Sequence, residues 1–341
     1  MPSTPTLVVT YGGSGGTDTT MTGVESVSVQ MGVDQDTATA DVVVSSLPAI
    51  DKQDRIVVNA GWNGSTELIF NGLVSGRGGH LAARNFNIKC QCYMARLRHP
   101  WGNGEFTYTS QLASAIAVNL IEKSGIDPSL HSVDVSTWLV ATIEDLLLRD
   151  GTADISGSGV ADVPLSIIRE MDRVELAWTA TRGNGAIYRK LIALDTPYAT
   201  YTVGSPVRDI EWNDDVEGII NKALVKGLQF SGLGVEDEFS DTNAYLPSPV
   251  EYNAITVQSN LIEDDASLTA LDVATNYVTL YNHPPEFVTL TLDGDPDLQI
   301  GYTVTVNNSF LGINKDYFVK SIEHRITSND FVTTAQCMAL D

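Results

Sequence analysis

Apolar and polar residues alternate over short segments in the last quarter of the chain, from Asp265 to Asp341. Such alternation, with turn residues between the segments, is typical of half-buried antiparallel strands. The apolar residues of a preceding helical pattern are Leu268, Leu271, Ala274, Tyr277, Val278 and Tyr281, and the strands are Phe287–Leu292, Tyr302–Val306, Phe318–Ile326 and Phe331–Leu340. The helical pattern ends at His283-Pro284-Pro285. These patterns predict a helix packed on a small antiparallel barrel.

The first hundred residues show the same alternation without a helical spacing. Asn63-Gly64 and Asn71-Gly72 are dipeptides that favour tight hairpins. The predicted strands are Thr6–Tyr11, Val24–Val33, Ala38–Leu47, Arg55–Trp62, Leu68–Ser75 and Phe86–Leu97. A series of short strands with turns between them predicts a small barrel or sandwich.

The middle of the chain mixes helical and alternating patterns. Ser110 is a candidate cap for a helix through Lys123. Further predicted elements are a helix at Pro164–Met171, a hairpin of Val174–Thr181 and Ala186–Leu194 across Arg182-Gly183-Asn184-Gly185, strands at Thr200–Val203, Val207–Trp212 and Asn221–Phe230, and a polar loop at Ser231–Pro249. The prediction is a mainly β protein in which two small β-barrel units, residues 1–99 and 199–341, flank an α+β insert at residues 100–198.

The net charge of −23 is distributed unevenly. Between Asp209 and Ile300 eighteen acidic residues stand against Lys222 and Lys226, whereas residues 68–104 contain five basic residues and no acidic one. An acidic surface disfavours tight binding of nucleic acid, because like charges repel. It suits a protein that contacts basic partners or lets a polyanion pass, and a saline habitat is an alternative explanation.

No group of side chains has the spacing of a catalytic or metal site. The three cysteines, Cys90, Cys92 and Cys337, are interpreted as small buried hydrophobic residues, and the five histidines as structural. Asp293-Gly294-Asp295-Pro296-Asp297 resembles a calcium loop only in part, and a turn is favoured. No nucleophile elbow, signal peptide or membrane span is found. We therefore predict no cofactor, no metal and no enzymatic activity.

Several stretches, in this order, resemble the baseplate-hub or tail-hub proteins of tailed phages, the late-control D type. They are Arg55–Val58 with Leu68–Val74, Leu112–Ile126, Val163–Asp172 with Val174–Thr181, Asn221–Gly227, Leu271–Val306 and Tyr317–His324. The resemblance covers nearly the whole chain. No lysozyme-like or spike-like segment accompanies it, which argues against a built-in activity on cell walls.

The resemblance implies a homotrimer in the virion, made in the host cytoplasm, whose two tail-tube-like barrels per subunit alternate around a ring. This ring would match a six-fold tail tube or distal tail protein on one side and a three-fold spike or fibre on the other. Its lumen would carry the tape-measure protein and then DNA, without specific binding and without insertion into a membrane. The alternatives are a tail-associated hydrolase of cell walls or polysaccharides, and a receptor- or carbohydrate-binding module of a tail tip.

Two sets of charged residues are candidates for the surfaces of such a ring. Basic residues expected to face an acidic partner ring or a neighbouring subunit are Arg77, Arg84, Lys89, Arg96 and Arg98. Acidic residues expected to flank the channel are Asp209, Asp214, Asp215, Glu236, Asp237 and Glu238. The acidic set would keep DNA from adhering, because like charges repel.

Overall fold

The computed structural model of the chain describes residues 4–12, 18–80, 85–99, 105–147, 163–204, 206–214, 218–230, 233–241, 253–259, 261–262 and 268–340. The first unit contains β1 (Pro5–Gly12), β2 (Thr19–Thr20), β3 (Val24–Gly32), β4 (Thr39–Val44), β5 (Arg55–Trp62), β6 (Ser65–His80) and β7 (Asn85–Gln91), followed by a 3₁₀ turn, Tyr93–Arg98. All six predicted strands are present, but the one predicted at Phe86–Leu97 is too long, because β7 ends at Gln91 and the 3₁₀ turn follows it.

One of the two predicted hairpins in this unit is wrong. Asn63 and Gly64 have positive φ angles of 54° and 88° and join β5 to β6 in a two-residue turn, as predicted. Asn71-Gly72 instead lies inside the 16-residue strand β6. The first half of β6 pairs with β5 and its second half with β7. Gly72 lies at this crossing because a Cβ there would collide with the carbonyl oxygen of Gln91.

The insert contains β8 (Glu105–Leu112), α1 (Ala113–Lys123), a 3₁₀ turn (Pro128–Leu130), β9 (His131–Val133), β10 (Leu139–Leu147), α2 (Pro164–Glu175), β11 (Ala177–Thr181) and β12 (Ile187–Leu191). The predicted cap at Ser110 is wrong, because this residue belongs to β8, which pairs with β10. The predicted strand from Val174 is also too long. α2 continues to Glu175 and ends at Leu176, whose φ of 53° is left-handed.

The third unit contains β13 (Ala199–Thr202), β14 (Val207–Asp214), β15 (Lys222–Phe230), β16 (Leu233–Ser240), β17 (Ala254–Gln258), α3 (Ala270–Tyr281), β18 (Glu286–Asp293), β19 (Thr303–Asn308), β20 (Ile313–Thr327) and β21 (Phe331–Ala339). The predicted loop Ser231–Pro249 is wrong in part, because β16 pairs with β15 there, and residues 242–250 lie outside the described residues. α3 begins at a reciprocal cap between Thr269 and Asp272 and packs mainly on β15 and β16, not on the last four strands as predicted.

A single 13-stranded sheet joins the first and third units. Its order is β14-β18-β21-β20-β3-β4-β7-β6-β5-β1-β2, with β19 and β13 added beside β20. The seam between the units is the antiparallel pair β3–β20, from Ser26↔Thr327 to Gly32↔Ser321. On one face of this seam Val27, Val29 and Ile326 are buried in a continuous core. The mainly β fold predicted from the sequence is confirmed, and the two β units are connected through backbone hydrogen bonds.

The first and third units repeat one arrangement of six strands. The sheet order β3-β4-β7-β6-β5-β1 in the first unit corresponds to β14-β18-β21-β20-β19-β13 in the third, and the strands follow one another along the chain in the same sequence. Bulges interrupt equivalent strands at equivalent places: β3 (Val24/Ser26) and β14 (Val207/Asp209), β6 (Val74/Gly76) and β20 (Val319/Ser321). The outermost pair differs, since β1 is antiparallel to β5 whereas β13 is parallel to β19.

Candidate functional site

The predicted basic residues lie on β6, on β7 and in the 3₁₀ turn that follows. Arg77 forms an ion pair of 3.2 Å with Asp51 and donates to the carbonyl of Ile50. Lys89 and Arg98 are exposed. Arg84 lies outside the described residues. Arg77, Lys89 and Arg98 are therefore on the surface, but on different elements.

Arg96 has a role inside the chain. Its Nη1 donates to the carbonyl of Gly125 at 2.5 Å, and its guanidinium lies 5.8 Å from the ring centroid of Tyr93. Gly125 follows α1, so Arg96 links the first unit to the insert. Reversing the charge of Arg96 would break this link as well as any contact with a partner. Arg98 is consequently the cleaner probe of a basic contact surface.

The acidic candidates are divided between two sheets. Asp209 and Asp214 are exposed on β14, the terminal strand of the 13-stranded sheet. Asp209 pairs with Thr291 in register, on the face opposite the core, whereas Asp214 stands opposite Glu286 at the end of the strand. Asp215 lies outside the described residues.

The other acidic candidates lie on β16 of the small sheet β16-β15-β17. Glu236 pairs with Lys226 at 3.3 Å, and Glu238 pairs with Lys222 at 2.8 Å. Asp237 is exposed and stands opposite Val225. The two lysines of this acidic region thus partly neutralise it. Among the ion pairs of the described residues none joins the basic candidates to the acidic ones.

The junction of the three units depends on a turn whose role the sequence did not indicate. The turn between β11 and β12 lies between β6 and the segment before β19. Gly183 donates to Oε1 of Gln299, and Nδ2 of Asn71 donates to the carbonyl of Asn184. A Cβ at Gly183 would collide with the backbone of β6, so the turn can dock only because this residue is glycine.

Arg182 anchors the same turn. Its guanidinium carbon lies 4.3 Å from the ring centroid of Tyr188 and 4.8 Å from that of Tyr302, and its Nε donates to the carbonyl of Ile300 at 2.9 Å. Burial lowers the pKa of Arg182. The guanidinium plane between two tyrosines is a cation–π arrangement that lysine cannot reproduce. The Arg-Gly-Asn-Gly sequence indicated a turn but not this contact.

A second charged cluster lies inside the insert. Arg189 on β12 donates to Asp172 at 2.8 Å and to Glu175 at 2.6 Å, and all three side chains are almost inaccessible. Burial raises the pKa of Asp172, and the Arg189 guanidinium opposes this shift. Because the three charges are used on one another, the cluster holds α2 against β12 and presents no reactive group.

The remaining candidates for chemistry are structural. The carboxylate of Asp295 accepts from the hydroxyls of Tyr198 and Tyr201 and from the backbone N–H of Leu298, so this loop is a turn closed on itself. Burial raises the pKa of Cys90 and of Cys337. Across the described ranges no cluster of histidine, cysteine or acidic residues could hold a metal ion, and no described helix is long and apolar enough to cross a bilayer.

Comparisons with known proteins agree with the resemblance read from the sequence. No protein-family model matches the chain, and no curated protein matches its sequence. A tail protein from Neisseria meningitidis MC58 has a TM-score of 0.66 over 98% of this chain and 96% of its own, at 12% identity. The 43 kDa tail protein of prophage MuSo2 from Shewanella oneidensis has a TM-score of 0.67 over 97% of both chains, also at 12% identity.

A third similar structure comes from a secretion system. The c3393 protein of E. coli, a component of the type VI secretion system with structural similarity to the T4 tail proteins gp27 and gp5, has a TM-score of 0.55 over 93% of this chain and 74% of its own, at 10% identity. At these identities the likeness concerns the fold. The chain has the fold of phage tail proteins, along its whole length.

Proposed function

We propose that this protein is a structural hub of a phage tail tip or baseplate, a trimeric ring that connects a six-fold tail tube to a three-fold spike or fibre. The observation that carries the proposal is the whole-chain likeness to two tail proteins, one of them from a prophage, which spans 97% or more of this chain in each case. Fold alone does not fix function. Here the internal repeat gives independent support, because three copies of a two-unit chain present six similar units.

The polar face of the 13-stranded sheet is the proposed wall of the channel. The half-buried and exposed residues on this face include Ser28, Gln30, Thr39, Asp41, Asn87, Lys89, Asp209, Thr289, Thr291, Thr334 and Gln336. Uncharged side chains predominate, and the charges are of both signs. Such a wall offers a passing polyanion few cations to bind, so the tape-measure protein and then DNA would pass without being retained.

In this arrangement the proposed domains are residues 1–99, 100–198 and 199–341, with the insert outside the ring formed by the two β units. The partners would be the tail tube or a distal tail protein, the spike or fibre, and further copies of this chain. Lys89 and Arg98 would contact an acidic partner ring or a neighbouring subunit. The protein would be a component of the virion, without an enzymatic role.

The experiment that tests the proposal is averaging of tail-tip images from the native particle. We expect a three-fold ring with an open pore and two similar β units per subunit. A single copy at the rim of the tail, or a closed subunit with one cleft, would contradict the hub. Zymography and glycan binding with the purified protein test the hydrolase and receptor-binding alternatives, and we expect neither activity.

The likeness to c3393 extends the proposal to contractile injection systems. The same ring could stand in a phage tail or in such an apparatus. The particle in which the ring is imaged distinguishes the two.

A further inference from the structure

Two strands of the repeat each have an edge without a described partner, whereas the equivalent edges in the other unit pair with each other. In the seam, β3 of the first unit pairs with the second half of β20 of the third unit. The equivalent of β3 is β14, which among the described strands pairs with β18 alone, apart from isolated bridges of its first residue, Val207, to Val203 and Gly204. The equivalent of β20 is β6, whose residues after the bulge, from Gly76 to His80, pair with β7 and with no other described strand.

We infer that β14 of one copy pairs antiparallel with the second half of β6 in the next copy, in the register of the β3–β20 seam. The inference deepens the proposed function, because it names the surfaces through which the subunits of the ring would meet. Such an interface joins two different surfaces, so it can repeat beyond a dimer, and it forms a ring when the rotation between copies closes.

The bulges set the register. Gly76 follows the bulge of β6 and Ser321 follows that of β20, while Ser26 follows the bulge of β3 and Asp209 that of β14. In the seam, Met31, Gln30 and Val29 stand opposite Ile322, Glu323 and His324, respectively. Transferring these three pairs onto the repeat places Asp214 opposite Arg77, Asn213 opposite Gly78, and Trp212 opposite Gly79.

One pair of residues at these positions is complementary in charge. Arg77 and Asp214 carry opposite charges at positions where the seam has the apolar pair Ile322 and Met31. Trp212 stands where the seam has Val29, and Gly79 stands where the seam has His324. A Cβ at Gly79 would collide with the ring of Phe86 on β7, so this ring occupies the place that a side chain of β6 would fill.

The exposure of β14 supports the same conclusion. Val27, Val29 and Met31 on β3 are 2%, 0% and 1% exposed and stand opposite the buried Ile326, His324 and Ile322 of β20. On β14 the equivalent Ile210 is half-buried and Trp212 is 41% exposed. An apolar face of this kind on a terminal strand is suited to cover by another chain.

Gly78 supplies a further indication from β6. A Cβ added at Gly78 would meet no heavy atom within 4 Å, so no packing in the described chain requires glycine there. Glycine within a strand weakens it and often marks a place where another backbone approaches closely. The open edge beside Gly78 is where the next copy would lie.

Disulfide cross-linking in the assembled particle tests the register. Gly78→Cys and Asn213→Cys are combined in one chain, and the particles are oxidised. The three natural cysteines are buried and do not compete. We expect covalent oligomers up to the size of the ring on non-reducing gels. The matched control combines Gly78→Cys with Asp209→Cys, which keeps both strands and the same face but shifts the partner by four residues, beyond the reach of a disulfide.

The outcomes separate the interface from the function. Cross-linking of the 78/213 pair with little of the 78/209 pair supports the inference. A three-fold ring without cross-linking of the 78/213 pair, or with more cross-linking of the 78/209 pair, overturns the inference and leaves the proposed function intact. Absence of any ring in the particle contradicts the proposed function itself.

A charge exchange gives a second, independent readout. Arg77→Asp and Asp214→Arg are each expected to reduce assembled rings at least tenfold, and the double variant is expected to restore them. Arg77 also forms an ion pair with Asp51, so a loss of rings in the Arg77→Asp variant alone could come from either contact. Recovery of ring assembly in the double variant is expected only when positions 77 and 214 contact each other directly. Assembly of both single variants at the natural level would overturn the pairing of these two residues.

Discussion

Strands β3 and β14 occupy the same place in two copies of one arrangement, yet one is covered and the other is open. β3 pairs on both sides, and its core-facing side chains are buried. Among the described strands β14 pairs with β18 alone, and Trp212 is 41% exposed. The comparison teaches that the core-facing side chains of this strand are buried where a strand of the other unit lies beside it and are exposed where no described strand does. The same substitution should therefore have different effects at the two strands.

Val29→Asp and Trp212→Asp test this difference at equivalent positions. Val29→Asp buries a carboxylate without a partner in the seam, so we expect it to lower the free energy of unfolding by about 4 kcal/mol or more. Trp212→Asp leaves its carboxylate in water and should cost about 1–2 kcal/mol in the isolated chain. Chemical denaturation of both variants measures the two values. Equal losses would mean that β14 is already covered within the chain.

The pH dependence of stability distinguishes the seam from the equivalent part of β6, where Gly79 replaces His324. His324 is fully buried, its Nδ1 lies 2.9 Å from Oγ1 of Thr333, and burial lowers its pKa from 6.5 to about 4. The unfolded chain therefore binds this proton at a higher pH than the folded chain. The stability supplied by neutral His324 is complete above pH 6.5 and is lost as the pH falls towards 4.

His324→Gln removes this titration. Between pH 6.5 and 4 the natural protein should lose about 3 kcal/mol more of its free energy of unfolding than the variant does, from a pKa difference of about 2.5 units. The measurement is denaturant unfolding of both proteins at a series of pH values. The carboxylates are the same in both proteins, so their titration cancels in the difference between the two profiles. Parallel pH profiles for the two proteins would show that His324 is accessible to protons in the folded state.

The insert is attached in a different way, through arginine side chains and not through shared strands. Arg182 donates to Ile300, and Arg169 donates to the carbonyls of Val33 and Gln35 at 2.8 and 2.7 Å. Arg182→Lys should lower the free energy of unfolding, measured by chemical denaturation, by about 1–2 kcal/mol. Lysine has no Nε–H to donate to Ile300 and no planar group to stack on Tyr188 and Tyr302. Arg98→Lys, at an exposed position, is the control and should change the stability by less than about 0.5 kcal/mol.

The strands of both β units could be predicted from the sequence because their alternation depends on local burial. Their arrangement could not. The β3–β20 seam joins residues almost three hundred positions apart, and the repeat is hidden because Val29 and Met31 correspond to Trp212 and Asp214. Met31 and Asp214 share a place in the sheet but not a chemical type.

Two of the wrong local predictions also have physical reasons. Ser110 has the side chain of a helix cap, but the backbone around it is used in pairing β8 with β10. Glu236-Asp237-Glu238 has the composition of a loop, and the cross-strand lysines of β15 stabilise it as a strand. The charged candidates were recognised by composition, whereas their partners depend on which strands become neighbours.

The smallest effect is expected at the fully open surface of β16, where no neighbouring unit is required. Lys226 and Glu236 are 34% and 50% exposed and 3.3 Å apart. Water screens this pair, so Lys226→Ala should lower the free energy of unfolding by about 0.5 kcal/mol or less. A double-mutant cycle with Glu236→Gln measures the interaction energy of the pair, which should fall further in high salt. A loss above about 1.5 kcal/mol would show that this face is covered as the seam is, and that the small sheet packs against a further part of the chain.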